Sequence, residues 1–131
     1  MKGISKKKSE GRGVKVSRYV FVVLAWLTFG CVTLQTFLAG MAVFTDPSHW
    51  KDHTIFVHLF EYLPLLMLIL AFTGRLPNIL RWKSGAIFAL IFAQYFTANV
   101  PGAGAVHPVL ALVMFWLSMS VARESTRHIR R

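Results

Sequence analysis

A glutamate and two histidines stand inside blocks of apolar residues, where they are costly and therefore informative. His58 and Glu61 lie three residues apart, a spacing that sets both on one face of a helix. A carboxylate beside an imidazole fixes the ring's tautomer or raises its pKa, which serves a metal, a cofactor or a proton relay. The plainer reading of the pair is a hydrogen bond that holds helices together. His107, followed by Pro108, opens another apolar block, and Gln35, Gln94 and Asn99 complete the set of strongly polar side chains in apolar surroundings. Ionisable groups in such surroundings are functional hypotheses by default.

A second constellation, Asp46, His49, Asp52 and His53, falls in one polar segment. His49 and His53 are i, i+4 if a helix begins at Pro47, and that spacing can bring two imidazoles to one zinc or copper ion. The alternative is a solvated turn in which Asp46 caps a helix whose first residue is proline. No glycine-rich phosphate loop, nucleophile elbow or metalloprotease motif is present, so the sequence offers no catalytic machinery.

The elements that must carry these side chains follow from composition. Hydrophobic residues make up 55% of the chain and charged residues 15%, with a mean hydropathy of +0.53. A soluble globule of 131 residues would need more charge to cover its surface. The apolar residues fall in four blocks, at about 19–44, 54–73, 84–100 and 105–122. Each is long enough to cross a bilayer, the third only just. The first exceeds the apolar core of a cleaved signal peptide, about 7–15 residues, and is read as a retained helix. Gly74, Arg75 and Pro77 stop the second block, Pro101 to Gly104 form a tight turn after the third, and Trp50 and Trp82 are interfacial anchors.

The net charge of +10 would ordinarily raise nucleic-acid binding, but its placement argues against it. Seven Lys and Arg residues lie up to Arg18, three within Arg75–Lys83 and four beyond Ala122, leaving only Lys51 elsewhere. Alternate connections thus differ as the positive-inside rule requires, and four spans with both termini inside satisfy it. The reading is an all-α integral membrane protein of the bacterial inner or cytoplasmic membrane, a four-transmembrane-helix up-down bundle. Basic tails at residues 1–18 and 123–131 would lie on the cytoplasmic side against anionic lipid headgroups. The single cysteine, Cys31, excludes an intramolecular disulfide and a cysteine-based zinc cluster. Thr28, Cys31 and Gln35 on the first helix, and Ala86, Ala89, Ala93 and Thr97 on the third, form stripes of small or weakly polar residues suited to close helix contact in lipid.

With this topology Gln35, His58, Glu61, Gln94, Asn99 and His107 all fall toward the outer side, and the inner half is almost free of polar groups except hydroxyls. In an up-down bundle the second and fourth helices are diagonal, so His58 and His107 would approach from opposite corners and could hold a planar macrocycle, with Glu61 behind them. Glycines at 102 and 104 and alanines at 98, 103 and 105 leave room there.

Four helices with histidines near the outer ends of the second and fourth resemble one half of haem A synthase and similar b-type membrane cytochromes. The stretch Ala105-Val106-His107-Pro108-Val109-Leu110-Ala111 is similar in character to their second ligand helix. That resemblance implies haem b, with His58 and His107 as axial ligands. The strings Phe37–His58 and His58–Arg75 resemble more closely a family of small, uncharacterised bacterial four-helix membrane proteins, which implies a fold and no chemistry. Three functions stay open: a haem-binding or redox-associated protein; a non-enzymatic membrane subunit whose polar cluster locks the bundle; and a carrier or metal-handling protein using His49, His53 and Glu61.

Overall fold

The computed structural model describes residues 10–131, and these are helical nearly throughout. Helix α1 spans Arg12–Phe44, α2 His49–Phe60, α3 Leu63–Thr73, α4 Asn78–Asn99 and α5 His107–Arg130. α2 and α3 form one rod with a break. Pro64 sits in the first turn of α3, and its ring displaces the carbonyl of Phe60, which has no proline amide to receive it. The second apolar block, expected as one uninterrupted helix over 54–73, is therefore divided at Glu61 and Tyr62.

Helices outrun the apolar blocks at both termini. α1 begins at Arg12, so the expected basic tail is helical over its last seven residues, while residues 1–9 lie outside the described part. α5 continues through the expected tail from Arg123 to Arg130. Hydropathy marks where apolar side chains end, but Arg and Glu favour the helix as well as leucine does. Arg127, His128 and Arg130 in the last turn of α5 also complement its dipole.

The connections show how each turn is made. Asp46 Oδ1 accepts from the Ser48 amide at 2.7 Å, and three i→i+3 bonds starting from Asp46, Pro47 and Ser48 lead into α2. The helix expected to start at Pro47 behind an Asp46 cap starts instead at His49 with Ser48 at its N-cap and no side-chain cap bond there; Asp46 closes the turn that leads into it. After α3, the Leu76 amide donates to Ala71 O at 2.9 Å and the Arg75 amide to Phe72 O at 3.0 Å, a Schellman closure. Arg75 takes the left-handed position, φ +50°, and Gly74 precedes it. Glycine is needed at 74 for contact: a Cβ there would lie 2.8 Å from Leu70 O and 3.3 Å from Arg18 Cγ.

α1 packs on the α2–α3 rod and on α5, and α4 packs on α3 and α5, so α1 and α4 are diagonal, as are the α2–α3 rod and α5. The buried face of α1 is Phe21, Ala25, Thr28 and Val32, a helical period that continues to Gln35 and confirms its expected stripe. Facing it are Met67 and Ala71 of α3 and Met114, Leu117, Ser118, Val121, Ala122 and Ser125 of α5. The expected stripe on α4 is corrected. Ala86 and Ala89 are exposed, Ala93 is half-buried, and the inward face is Leu80, Ser84, Ile87, Ile91 and Thr97. The small residues that are buried include instead Ala25, Ala71, Ala122, Ser84, Ser118 and Ser125.

The outward faces carry Trp26, Phe37, Phe72, Phe92, Phe96 and Trp116, all exposed. Soluble monomers do not present so continuous an apolar surface. α1, the α2–α3 rod and α5 are each long and apolar enough to cross a membrane. α4, which carries Arg81, Lys83, Gln94 and Asn99 within its 22 residues, is not among them.

Candidate functional site

The strongly polar side chains gather at the end of the bundle bearing the α1–α2 and α4–α5 connections, in two clusters on adjoining faces.

The first lies between α1, α2, α4 and α5. Gln35 Nε2 donates to His53 O at 2.8 Å while His53 Nδ1 meets Gln35 O at 3.0 Å, a reciprocal clasp of α1 and α2. A carbonyl only accepts, so neutral His53 carries its proton on Nδ1 and leaves Nε2 with a lone pair. Across the bundle His107 Nδ1 lies 3.1 Å from Thr97 Oγ1 and 3.1 Å from the backbone carbonyl of Gln94. In the orientation its neighbours favour, the Gln94 side-chain oxygen accepts from the Ala111 amide at 2.9 Å and its nitrogen donates to His107 Nδ1 at 2.8 Å, so that Nδ1 carries the lone pair and only lies near the Gln94 carbonyl without bonding it. Gln94 thus pins the first turn of α5, where Pro108 contributes no amide. The His53 and His107 rings are 6.4 Å apart, centre to centre, across the diagonal. Gln35 Oε1 is buried beside this pair with no hydrogen-bond partner among the described residues.

The second cluster joins α2 to α4. The Tyr95 hydroxyl donates to Glu61 Oε2 and lies 3.1 Å from His58 Nδ1, and His58 Nδ1 is 3.4 Å from the same carboxylate oxygen. The His58 and Tyr95 rings stack at 5.9 Å. Glu61 occupies the break between α2 and α3, where the chain leaves the regular ladder, and its side chain is only 17% exposed against 62% for His58. The cluster therefore opens outward through His58.

Of the residues singled out from sequence, His58 and Glu61 are brought together, and Gln35, Gln94 and His107 join the first cluster. Asn99 turns back to Tyr95 O at 2.8 Å and joins neither through its side chain. His58 and His107, expected as a facing pair, fall in different clusters; the histidine opposite His107 is His53, more than one turn earlier on α2. The set Asp46, His49, Asp52 and His53 is dispersed. Asp46 closes the turn into α2, His49 Nδ1 pairs with Asp52 Oδ2 at 2.8 Å in solvent, and His53 points inward to Gln35. Among the described residues no three His, Cys, Asp or Glu side chains converge as a metal site of that kind needs. The bonds from the Ser48 amide and hydroxyl hold the Asp46 carboxyl below its ordinary range.

Tyr95 escaped the sequence reading, and Thr97 entered it only as part of the packing stripe. Both belong to types that ordinarily sit at membrane interfaces or bond back to their own helix. Only their i+1 and i+3 placement relative to Gln94 could have marked them.

Residues 35–100 match the model of a family of unknown function, DUF6220, and that stretch is half of the chain. The chain belongs to this family. The matched DUF6220 stretch runs from Gln35 to Val100 and so contains both sides of the Tyr95–Glu61–His58 cluster and the Gln35–His53 clasp; His107 lies beyond it. No curated protein matches the chain. No solved structure matches it either.

Proposed function

We propose that this chain is a four-span integral protein of the cytoplasmic membrane, with both ends inside, acting as a non-enzymatic membrane subunit whose polar clusters lock the outer half of the bundle. One observation carries the reading: the polar side chains at that end are spent on one another across helices. The contacts are Gln35 with His53, Gln94 and Thr97 with His107, and Tyr95 with Glu61 and His58. In lipid such bonds replace water and hold neighbours in register. α4 is the fourth span on this view, with Arg81 and Lys83 at its inner end. Lys83 reaches Glu124 and Ser120 of α5, each at 2.8 Å. The test is stability in detergent. Gln35→Leu and Tyr95→Phe should each lower the unfolding midpoint, while a substitution of similar size at lipid-facing Phe92 leaves it unchanged. Equal tolerance at all three would defeat a locking role.

A second reading has its own support. Diagonal rods bring His53 and His107 to 6.4 Å, and two imidazoles bound to one ion through bonds of about 2 Å stand about 6 Å apart at their centres. His53 Nδ1 is held by a backbone carbonyl, as a ligating imidazole usually is. On this reading a metal centre, haem iron included, would be held by His53 and His107, and the expected His58–Glu61 pair would stand apart from it with Tyr95. When bound, the iron would supply one-electron chemistry. The absorbance of dithionite-reduced protein expressed with ample haem decides the matter. His53→Ala and His107→Ala should abolish the visible bands and His58→Ala should keep them, whereas colourless wild-type protein would exclude haem.

A further inference from the structure

The opposite end of the molecule carries a charge that the chain does not neutralise. Of the five carboxylates, Asp46, Asp52 and Glu61 lie at the end just described. Glu10 is used by Arg18 in a two-pronged pair at 2.9 Å, and Glu124 is taken by Lys83 at 2.8 Å. Arg18 spends its remaining Nε–H on Gly74 O at 2.8 Å. Lys15, Arg127 and Arg131 form no ion pair among the described residues, and residues 1–9 add four lysines and no acid.

These cations surround two adjoining clefts, one where the first turns of α1 meet the last turns of α5 and one where that end of α5 meets the start of α4. The first, of about 450 Å³, is lined by Lys15, Arg18, Tyr19, His128 and Arg131, with Glu10 and Ile129 completing its wall. The second, of about 180 Å³, shares His128 and Arg131 and reaches Arg127, Pro77, Ile79 and Leu80, with Glu124, held by Lys83, in its wall. Beside the cationic floor, Val16, Tyr19, Ile79 and Trp82 present exposed apolar side chains. Cationic and apolar walls meeting at one level are complementary to a group that is anionic at its tip and hydrocarbon below. We propose that the cleft between α1 and α5 forms a binding site for a phosphate group, that of an anionic phospholipid headgroup, with Lys15, His128 and Arg131 as its donors. The site rests on the membrane reading above, because only a bilayer places such a headgroup at this level. Its occupant supplies the missing counter-charge and ties the two ends of the chain together.

The test uses the full chain in neutral detergent. Phosphatidylglycerol, phosphatidylcholine and inorganic phosphate are titrated separately, and binding is read by native mass spectrometry and by the unfolding midpoint. Phosphatidylglycerol should bind and raise the midpoint where phosphatidylcholine does not. The double variant Lys15→Gln, Arg131→Gln should weaken that binding roughly thirtyfold, while the charge-matched double variant Arg123→Gln, Arg130→Gln, outside the clefts, keeps it near wild type. Absence of any preference for phosphatidylglycerol, or equal loss with the Arg123→Gln, Arg130→Gln variant, would overturn the site. Full stabilisation by inorganic phosphate alone would overturn the assignment to lipid. A reporter fused after Arg131 separates this inference from the membrane reading. A cytoplasmic signal with no lipid preference sinks the site alone, and an external signal sinks the topology on which it rests.

Discussion

Tyr95 is the residue on which the end bearing the α1–α2 and α4–α5 connections turns. Its hydroxyl is the contact that holds the largely covered Glu61 at the break of the α2–α3 rod, and its ring stacks on His58. Removing one partner of a poorly solvated charged group costs more than the bond itself contributes, because the group left behind stays desolvated. Tyr95→Phe should therefore destabilise the protein by about 1–3 kcal/mol. Combining it with Glu61→Leu should give less than the sum of the two effects, since the stranded carboxylate is then gone. Reversible unfolding in mixed micelles measures all three variants, and strict additivity would show that the two side chains do not act on each other. Asp46 is the corresponding residue in solvent. Its carboxyl is held below its ordinary range by the Ser48 amide, then by the Ser48 hydroxyl. A depressed folded value means stability that is present above the unfolded pKa of about 3.9 and is lost as pH falls through the folded value. Asp46→Asn keeps an acceptor for the turn but does not titrate, so the part of the acid destabilisation due to Asp46 should vanish in that variant. Parallel stability–pH curves for the two proteins would refute it.

Element by element, the helices meet through unequal faces. Ala25 of α1 and Ala71 of α3 are fully buried in the packed core, where a larger side chain has no free space. Ala25→Leu forces three further carbons into that core and should cost about 1–3 kcal/mol or prevent folding. Ala89→Leu, on the outward side of α4, should be neutral within about 0.5 kcal/mol, because the added side chain enters lipid or detergent. Yield of monodisperse protein and its unfolding midpoint distinguish the two. A severe effect at Ala89 would mean that the outward face of α4 is covered by another chain. The break between α2 and α3 is an element-scale feature with a local cause. Pro64 is visible in the sequence, yet prolines occur inside membrane helices without dividing them when neighbours satisfy the freed carbonyl. Here the interruption coincides with Glu61, so the rod is broken where that carboxylate reaches Tyr95.

Seen whole, the molecule is polarised. Among the described residues, one end holds every basic residue but Lys51 and two of the five acids, and the other holds the paired histidines, the two glutamines, Asn99 and Lys51. That distribution predicts cytoplasmic signals from reporters fused after Arg131 and within Asn78–Arg81, and an external signal at Lys51. An external C-terminus would reduce the number of spans to three, matching the three rods that are long and apolar enough by themselves and leaving α4 as a helix that does not cross.

Composition and the spacing of charges determined that the chain is helical, where its apolar stretches lie, and that Asp46-Pro47 and Gly74–Pro77 turn it. Those properties are local and additive, since each residue contributes its own hydropathy, propensity or charge wherever it stands. The Gln35 stripe of α1 was legible for the same reason: its polar and small residues share one helical face. Only the tertiary structure decided how each helix is rotated about its axis. A helix apolar on every side has no strong stripe to specify an inward face, so the alanines of α4 could be counted but not aimed. The rotation of α2 decides in turn which histidine faces inward. His53 rather than His58 meets His107, because Gln35 clasps the first turn of α2 while Tyr95 draws His58 and Glu61 toward the other face of α4.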